Sequence, residues 1–188
     1  MKKQHIIASL LAGILCLACN HAPKEDRATE EERIFQTKTA PQGGIREMTD
    51  LTMDGNVEIK GKTYHYKISR TSNHQLPIVK DNQENRYYDN EINLLITQDG
   101  GKQIVDKKFI KKDFANNLPD AKFLTIAVLD GMGFNEIQND RFTFTVSMCC
   151  PQTDFCQMLD LEFDTNGNMS ISETSGYDGE IPFEEVTE

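Results

Sequence analysis

The feature that most restricts this chain is a hydrophobic period of two, repeated between turn signals. Val57 and Ile59 alternate with polar neighbours, Gly61-Lys62 offers a turn, and Tyr64, Tyr66 and Ile68 resume the alternation. A period of two places every second side chain on one face of a strand, so this stretch reads as a β-hairpin. A second hairpin runs from Ile92, Leu94 and Ile96 through Gly100-Gly101 to Ile104–Ile110. A third joins Leu159, Leu161 and Phe163 to Met169 and Ile171 through Asn166-Gly167, a dipeptide suited to the left-handed backbone of a tight turn. Phe142, Phe144, Val146 and Met148 make another one-sided strand. The nearly continuous apolar run Phe123 to Leu129 reads as a strand buried on both faces. About eight strands result, so the expected fold is all-β and mostly antiparallel: a two-sheet β-sandwich or a small open barrel. One short helix is expected from Asp113 to Leu118, ahead of Pro119.

The first 18 residues have a different character. Lys2 and Lys3 precede a 13-residue apolar stretch, Ile6 to Ala18, too short for the roughly 20 residues that span a bilayer. A basic start, a short apolar core and a small residue before a polar break describe a secretory signal peptide over residues 1–18. Leu17-Ala18-Cys19 resembles the lipobox of bacterial lipoproteins, with Cys16 where Leu is usual. That resemblance implies that Cys19 becomes the acylated first residue, with membrane lipid as its partner. Lys24-Glu25-Asp26 resembles the export signal of outer-membrane surface lipoproteins, and serves equally as a charged spacer. Residues 19–50 carry charges, Pro23, Pro41 and Gly43-Gly44 with little periodicity, and read as a flexible tether. A single β-rich domain is expected over residues 51–188, with a frayed acidic end from Glu180.

Charge narrows the partners. The net charge is -10, and losing Lys2 and Lys3 would make it -12. Such a surface repels phosphate backbones, so nucleic acid is not an expected partner. An envelope protein or a small ligand fits better, at the outer membrane on its periplasmic or cell-surface face.

Several segments occur in a familiar order: Leu76-Pro77-Ile78-Val79, Tyr88-Asp89-Asn90-Glu91-Ile92, Gln98-Asp99-Gly100 and Phe109-Ile110-Lys111-Lys112-Asp113-Phe114. Together they resemble an uncharacterised Bacteroides-type lipoprotein family built on a domain of unknown function. The resemblance implies a mostly β extracytoplasmic domain and carries over no catalytic residue.

Candidate chemistry is sparse. Asp164, Asn166, Asn168 and Ser170 alternate as in a calcium loop, but Met169 and Ser175 stand where that loop needs Gly and a bidentate Glu. Cys149, Cys150 and Cys156 with His65 or His74 lack the paired spacing of structural zinc. No metal or cofactor is therefore expected. His65, between Tyr64 and Tyr66, is a candidate base more often found merely solvated, and His74 lies in a polar loop. Tyr64, Tyr66, Tyr87 and Tyr88 offer a sugar-stacking platform or ordinary packing. Lys107, Lys108, Lys111 and Lys112 form a basic cluster, flanked by Asp106 and Asp113, that also suits protection of a strand edge. These readings favour a binding or envelope-assembly module without catalysis over a cell-surface hydrolase acting on glycan.

The cysteines allow a sharper expectation. With Cys16 and Cys19 set aside, three remain, an odd number in an oxidising location. Phase through Phe142, Phe144, Val146 and Met148 puts Cys149 on the opposite face. Leu159, Leu161 and Phe163 likewise turn Cys156 outward. A Cys149–Cys156 disulfide follows, with Cys150 packed inward. If Pro151 breaks the phase, Cys150–Cys156 is the alternative.

Overall fold

The computed structural model describes residues 44–174 apart from 82, 119 and 121. The residues expected to form a signal peptide, Cys19, most of those expected to form a tether, and the acidic end from Glu180 lie outside the described residues. Among the described residues ten strands form, in agreement with a mostly antiparallel β fold, and no barrel closes. They are β1 (Leu51–Ile59), β2 (Lys62–Ser72), β3 (Val79–Lys80), β4 (Arg86–Tyr87) and β5 (Asn90–Gln98). The rest are β6 (Lys102–Ile110), β7 (Val128–Gln138), β8 (Arg141–Cys149), β9 (Cys156–Phe163) and β10 (Met169–Glu173). Two sheets of four strands have the orders β1-β2-β5-β6 and β10-β9-β8-β7, and β3 pairs with β4 in a short ribbon.

One core lies between the two large sheets. The first contributes Ile68, Ile92, Leu94, Ile96 and Phe109; the second contributes Phe142, Phe144, Val146, Met148, Leu159, Leu161 and Phe163. These are the residues that the period of two turns inward. Aromatic edges bind the layers: Tyr64 meets Phe142 at 5.2 Å between centroids, and Tyr66 stacks on Phe134 at 4.8 Å. Tyr66 also lies across Gly55, where a Cβ would sit 2.5 Å from the phenol oxygen.

At one corner side chains replace strand pairing. Asp89 and Asn90 are 1% and 0% exposed. Asp89 Oδ1 accepts the Leu129 N–H at 2.9 Å, and Asn90 Nδ2 donates to the Leu129 carbonyl at 2.8 Å. The two side chains thus clasp both backbone groups of one residue in the other sheet. Lys111 Nζ completes the clasp, 3.1 Å from Asp89 Oδ2 and 2.8 Å from the Ala127 carbonyl. Two of the segments that carry the family resemblance therefore meet here: Tyr88–Ile92 supplies the acid and Phe109–Phe114 the lysine. Phe109 and Phe114, both fully buried, stack at 5.7 Å beneath it.

The structure corrects several expectations. Phe123 to Leu129 is not one strand: Phe123–Ile126 forms a single helical turn, α1, and β7 begins at Val128. Within that run Phe123 and Ala127 are buried while Thr125 is exposed, a spacing of four that a short apolar stretch conceals. The helix expected at Asp113–Leu118 is a 3-10 helix at Lys111–Asn117, where Asp113 Oδ2 accepts the Ile110 N–H. The first hairpin turns at Lys60-Gly61, both at positive φ, one residue before the expected pair. Residues 44–50, the end of the tether reading, lie against the domain. Arg46 bridges to Tyr87, and Met48 is 7% exposed in a small second core with Val79, Tyr87 and Val128.

Strand β7 was not legible in advance. It carries two register shifts, at Asp130 and at Asn135. Each shift flips the phase, so the inward residues are Leu129, then Met132 and Phe134, then Ile137. The only sequence signal was the Asn139-Asp140 pair, which turns into β8 with both residues at positive φ.

Candidate functional site

The outer face of the second sheet carries a cleft of about 610 Å³. One wall is sheet: Val128, Asp130, Met158 and the disulfide that joins Cys149 to Cys156. The opposite wall is Met48, Tyr87 and Tyr88, brought over by residues 44–48 and the β3–β4 ribbon. The lip is Pro151 to Asp154, inside the eight-residue loop that the disulfide closes. Volume and apolar lining match sites for small ligands.

The disulfide sits where strand register dictates. Cys149 and Cys156 are direct partners across β8 and β9, on the face away from the main core. The pair is 4% and 7% exposed and lines the cleft, across from Met48 and Tyr87. Cys150 points the other way into the main core, and burial pushes its thiol up to about 11. A thiol so seldom ionised is a poor nucleophile at neutral pH.

Asp130 is the polar anchor of the cleft. The extra residue in β7 makes Asp130 and Gly131 together oppose Ser147, and the Asp130 carboxylate accepts from Ser147 Oγ at 3.3 Å. Such bulges re-aim side chains. Asp130 is 3% exposed, and burial raises its pKa, with Arg70 and Ser147 opposing the shift. Arg70, 2% exposed, lies behind it, donating to the carbonyls of Asp130 and Thr49. Burial lowers the Arg70 pKa, against the pull of Asp130 and Asp50. Sequence reasoning singled out neither residue. Arg70 occupies an inward position of β2, in phase with Ile68, and that buried charge was the available signal.

The sequence candidates scatter. His65 stands on the outer face of the first sheet, its Nε2 2.7 Å from Asp99 and its Nδ1 against Asn56 Oδ1. His74 has partners after all: Glu47 at 3.0 Å and the Tyr88 ring, stacked at 3.8 Å. This places His74 at the rim of the cleft, through Tyr88. Of the four tyrosines, Tyr64 and Tyr87 are buried and Tyr66 is stacked on Phe134, so no shared platform forms. The lysines also separate. Lys108 pairs with Glu91 at 2.7 Å, Lys111 with buried Asp89, and Lys107 lies over Phe109.

The Asp164 loop is a turn. Asp164 takes hydrogen bonds from the amides of Asn166 and Asn168 and from Asn168 Nδ2. The side-chain bond from Asn168 leads in holding its pKa below the usual carboxylate value. The loop between β3 and β4 repeats this arrangement. Asp81 accepts from the amides of Gln83 and Asn85 and from Asn85 Nδ2. In both loops the fourth residue, Glu84 or Gly167, has positive φ. Burial pushes the Asp81 carboxyl up, but the bonds from Asn85, Gln83 and Tyr87 together bring it below its usual value. Among the described residues no group of three or more His, Cys, Asp or Glu is placed to hold a metal. No helix among them is long and apolar enough to cross a membrane.

Fold and site define a two-sheet β domain with an apolar cleft on one outer face. A family model described as a domain of unknown function, DUF4738, matches residues 29–171, and the chain belongs to that family. No curated protein matches it.

Proposed function

We propose that this chain is a lipid-anchored extracytoplasmic binding module, of Bacteroides lipoprotein type, whose ligand occupies the cleft beside the Cys149–Cys156 disulfide. The signal-like residues 1–18 and the lipobox-like Leu17-Ala18-Cys19 support secretion and acylation at Cys19, and hence a place at the outer membrane. The observation that carries the binding role is the cleft: apolar walls fixed by a disulfide and a small core, with one deeply buried carboxyl re-aimed by a bulge. A binding module needs enclosure and one or two orienting groups, and does not need a nucleophile beside a base. Neither His65 nor His74 lines the cleft, and Cys150, which does, has its thiol pushed up by burial to about 11.

Nile red, a neutral dye that brightens in apolar surroundings, tests this reading. Saturable binding to the full chain is expected, and Met158→Arg should abolish it. Binding unaffected by Met158→Arg, or turnover of a glycan, ester or peptide that Asp130→Asn removes, overturns it. The anchor is tested separately: Cys19→Ala should end acylation and detergent partitioning in cells.

A further inference from the structure

The charge inside the cleft has one sign. The charged groups that line it are Asp130 and Asp154, and its lining includes no Lys, Arg or His. A carboxylate has about four acceptor sites, and the side-chain donor on Asp130 is Ser147 Oγ at 3.3 Å. Arg70 is buried on the far side, its guanidinium bound to the carbonyls of Asp130 and Thr49 and outside the lining. A ligand therefore meets the carboxylate and not the arginine.

We propose that the cleft binds a small amphiphile with an apolar body and a cationic amine head. The body lies against Met48, Val128, Met158 and the disulfide, and the ammonium takes the Asp130 carboxylate. This rests on the reading of the cleft as the ligand site and adds the ligand's chemical class. An anionic head would face two acids inside a chain of net charge -10, in surroundings where repulsion is poorly screened. A neutral head would offer the buried carboxylate a weaker hydrogen bond than an ammonium does.

Three ligands with the same chain and different heads, n-octylammonium, n-octanol and n-octanoate, are titrated against Nile red bound to the full chain. The ammonium should displace the dye at a concentration at least about tenfold below that of octanoate, a factor a charge-assisted bond readily supplies. Octanol should fall between them. Asp130→Asn should bring all three within about threefold of one another. The order measured on the native chain decides the matter even if that variant fails to fold. Equal displacement by ammonium and octanoate, with dye binding still lost in Met158→Arg, leaves the cleft as a site and overturns the amine assignment. Dye binding that ignores Met158→Arg overturns the cleft reading and this inference with it.

Discussion

Strands β2 and β7 are both 11 residues long, and they use that length differently. β2 sits inside its sheet and keeps one unbroken register with β1 on one side and β5 on the other. Its alternation never slips, so Tyr64, Tyr66 and Ile68 all reach the core. β7 is an edge strand whose register shifts twice, which turns Asp130 to the cleft face and blunts the open edge. An unbroken period builds the wall, and a break in the period places a functional group on it. The same contrast separates the two faces of the second sheet. Its inner face is uniformly apolar, whereas its outer face carries the disulfide, Asp130 and the cleft.

If that contrast is right, inner-face changes should cost stability and outer-face changes should cost binding. Phe144→Ala should have the largest effect, because Phe144 is fully buried with Tyr66, Phe134 and Phe163 around it. A loss of about 3–5 kcal/mol in denaturant unfolding is expected, against less than about 1 kcal/mol for the half-buried Met158→Ala. Equal losses would erase the distinction between the faces.

The corner clasp comes next. Asp89→Ala leaves Lys111, 15% exposed, beside a buried gap and frees the Leu129 amide. About 3 kcal/mol should be lost, as when one partner of a buried ion pair is removed. Asp99→Ala, which removes the partner of exposed His65, should change stability by less than about 1 kcal/mol.

Replacing both Cys149 and Cys156 by Ser should cost roughly 2.5 kcal/mol, the chain-entropy value for an eight-residue loop. Because that loop forms the lip, Nile red binding should weaken in the variant even where it remains folded. Unchanged dye affinity would show that the disulfide stabilises the fold without shaping the cleft.

The smallest effect compares the twin loops. Gly167→Ala should cost about 2 kcal/mol, since φ is +87° and the new Cβ would lie 2.6 Å from the Ile104 carbonyl oxygen. Glu84→Gly, at the equivalent position with φ +62°, should stay within about 0.5 kcal/mol of the native chain. A melting experiment showing similar shifts for both would mean that the contact with Ile104 contributes nothing.

Legibility followed the same division. Hairpins around Gly61, Gly100 and Gly167 could be read because their turn residues and their alternation are local. The shared face of Cys149 and Cys156 was readable as well, since phase carried through Met148 and Leu159 is enough to assign it. α1 reads as strand in the sequence because Phe123, Leu124 and Ile126, within four residues, fit either period. Residues 44–50 gave no warning of packing, for Met48 is buried by Val79, Tyr87 and Val128, all distant in sequence. The cleft was invisible for the same reason, being assembled from separated stretches around Met48, Tyr87, Val128 and Cys149–Met158.

The sequence by itself determined seven strands, β1, β2, β5, β6, β8, β9 and β10, with most of their turns and inward residues, because side-chain period and turn backbone depend on near neighbours. It also determined that Arg70 would face inward. Only the tertiary structure decided that Asp130 would stand in front of that arginine and that Met48 would stand across the cleft from the disulfide. Both outcomes depend on register and on contacts across 21 to 60 residues of chain, as in the Arg70 bonds to Thr49 and Asp130. Neither leaves a repeating pattern in either segment alone.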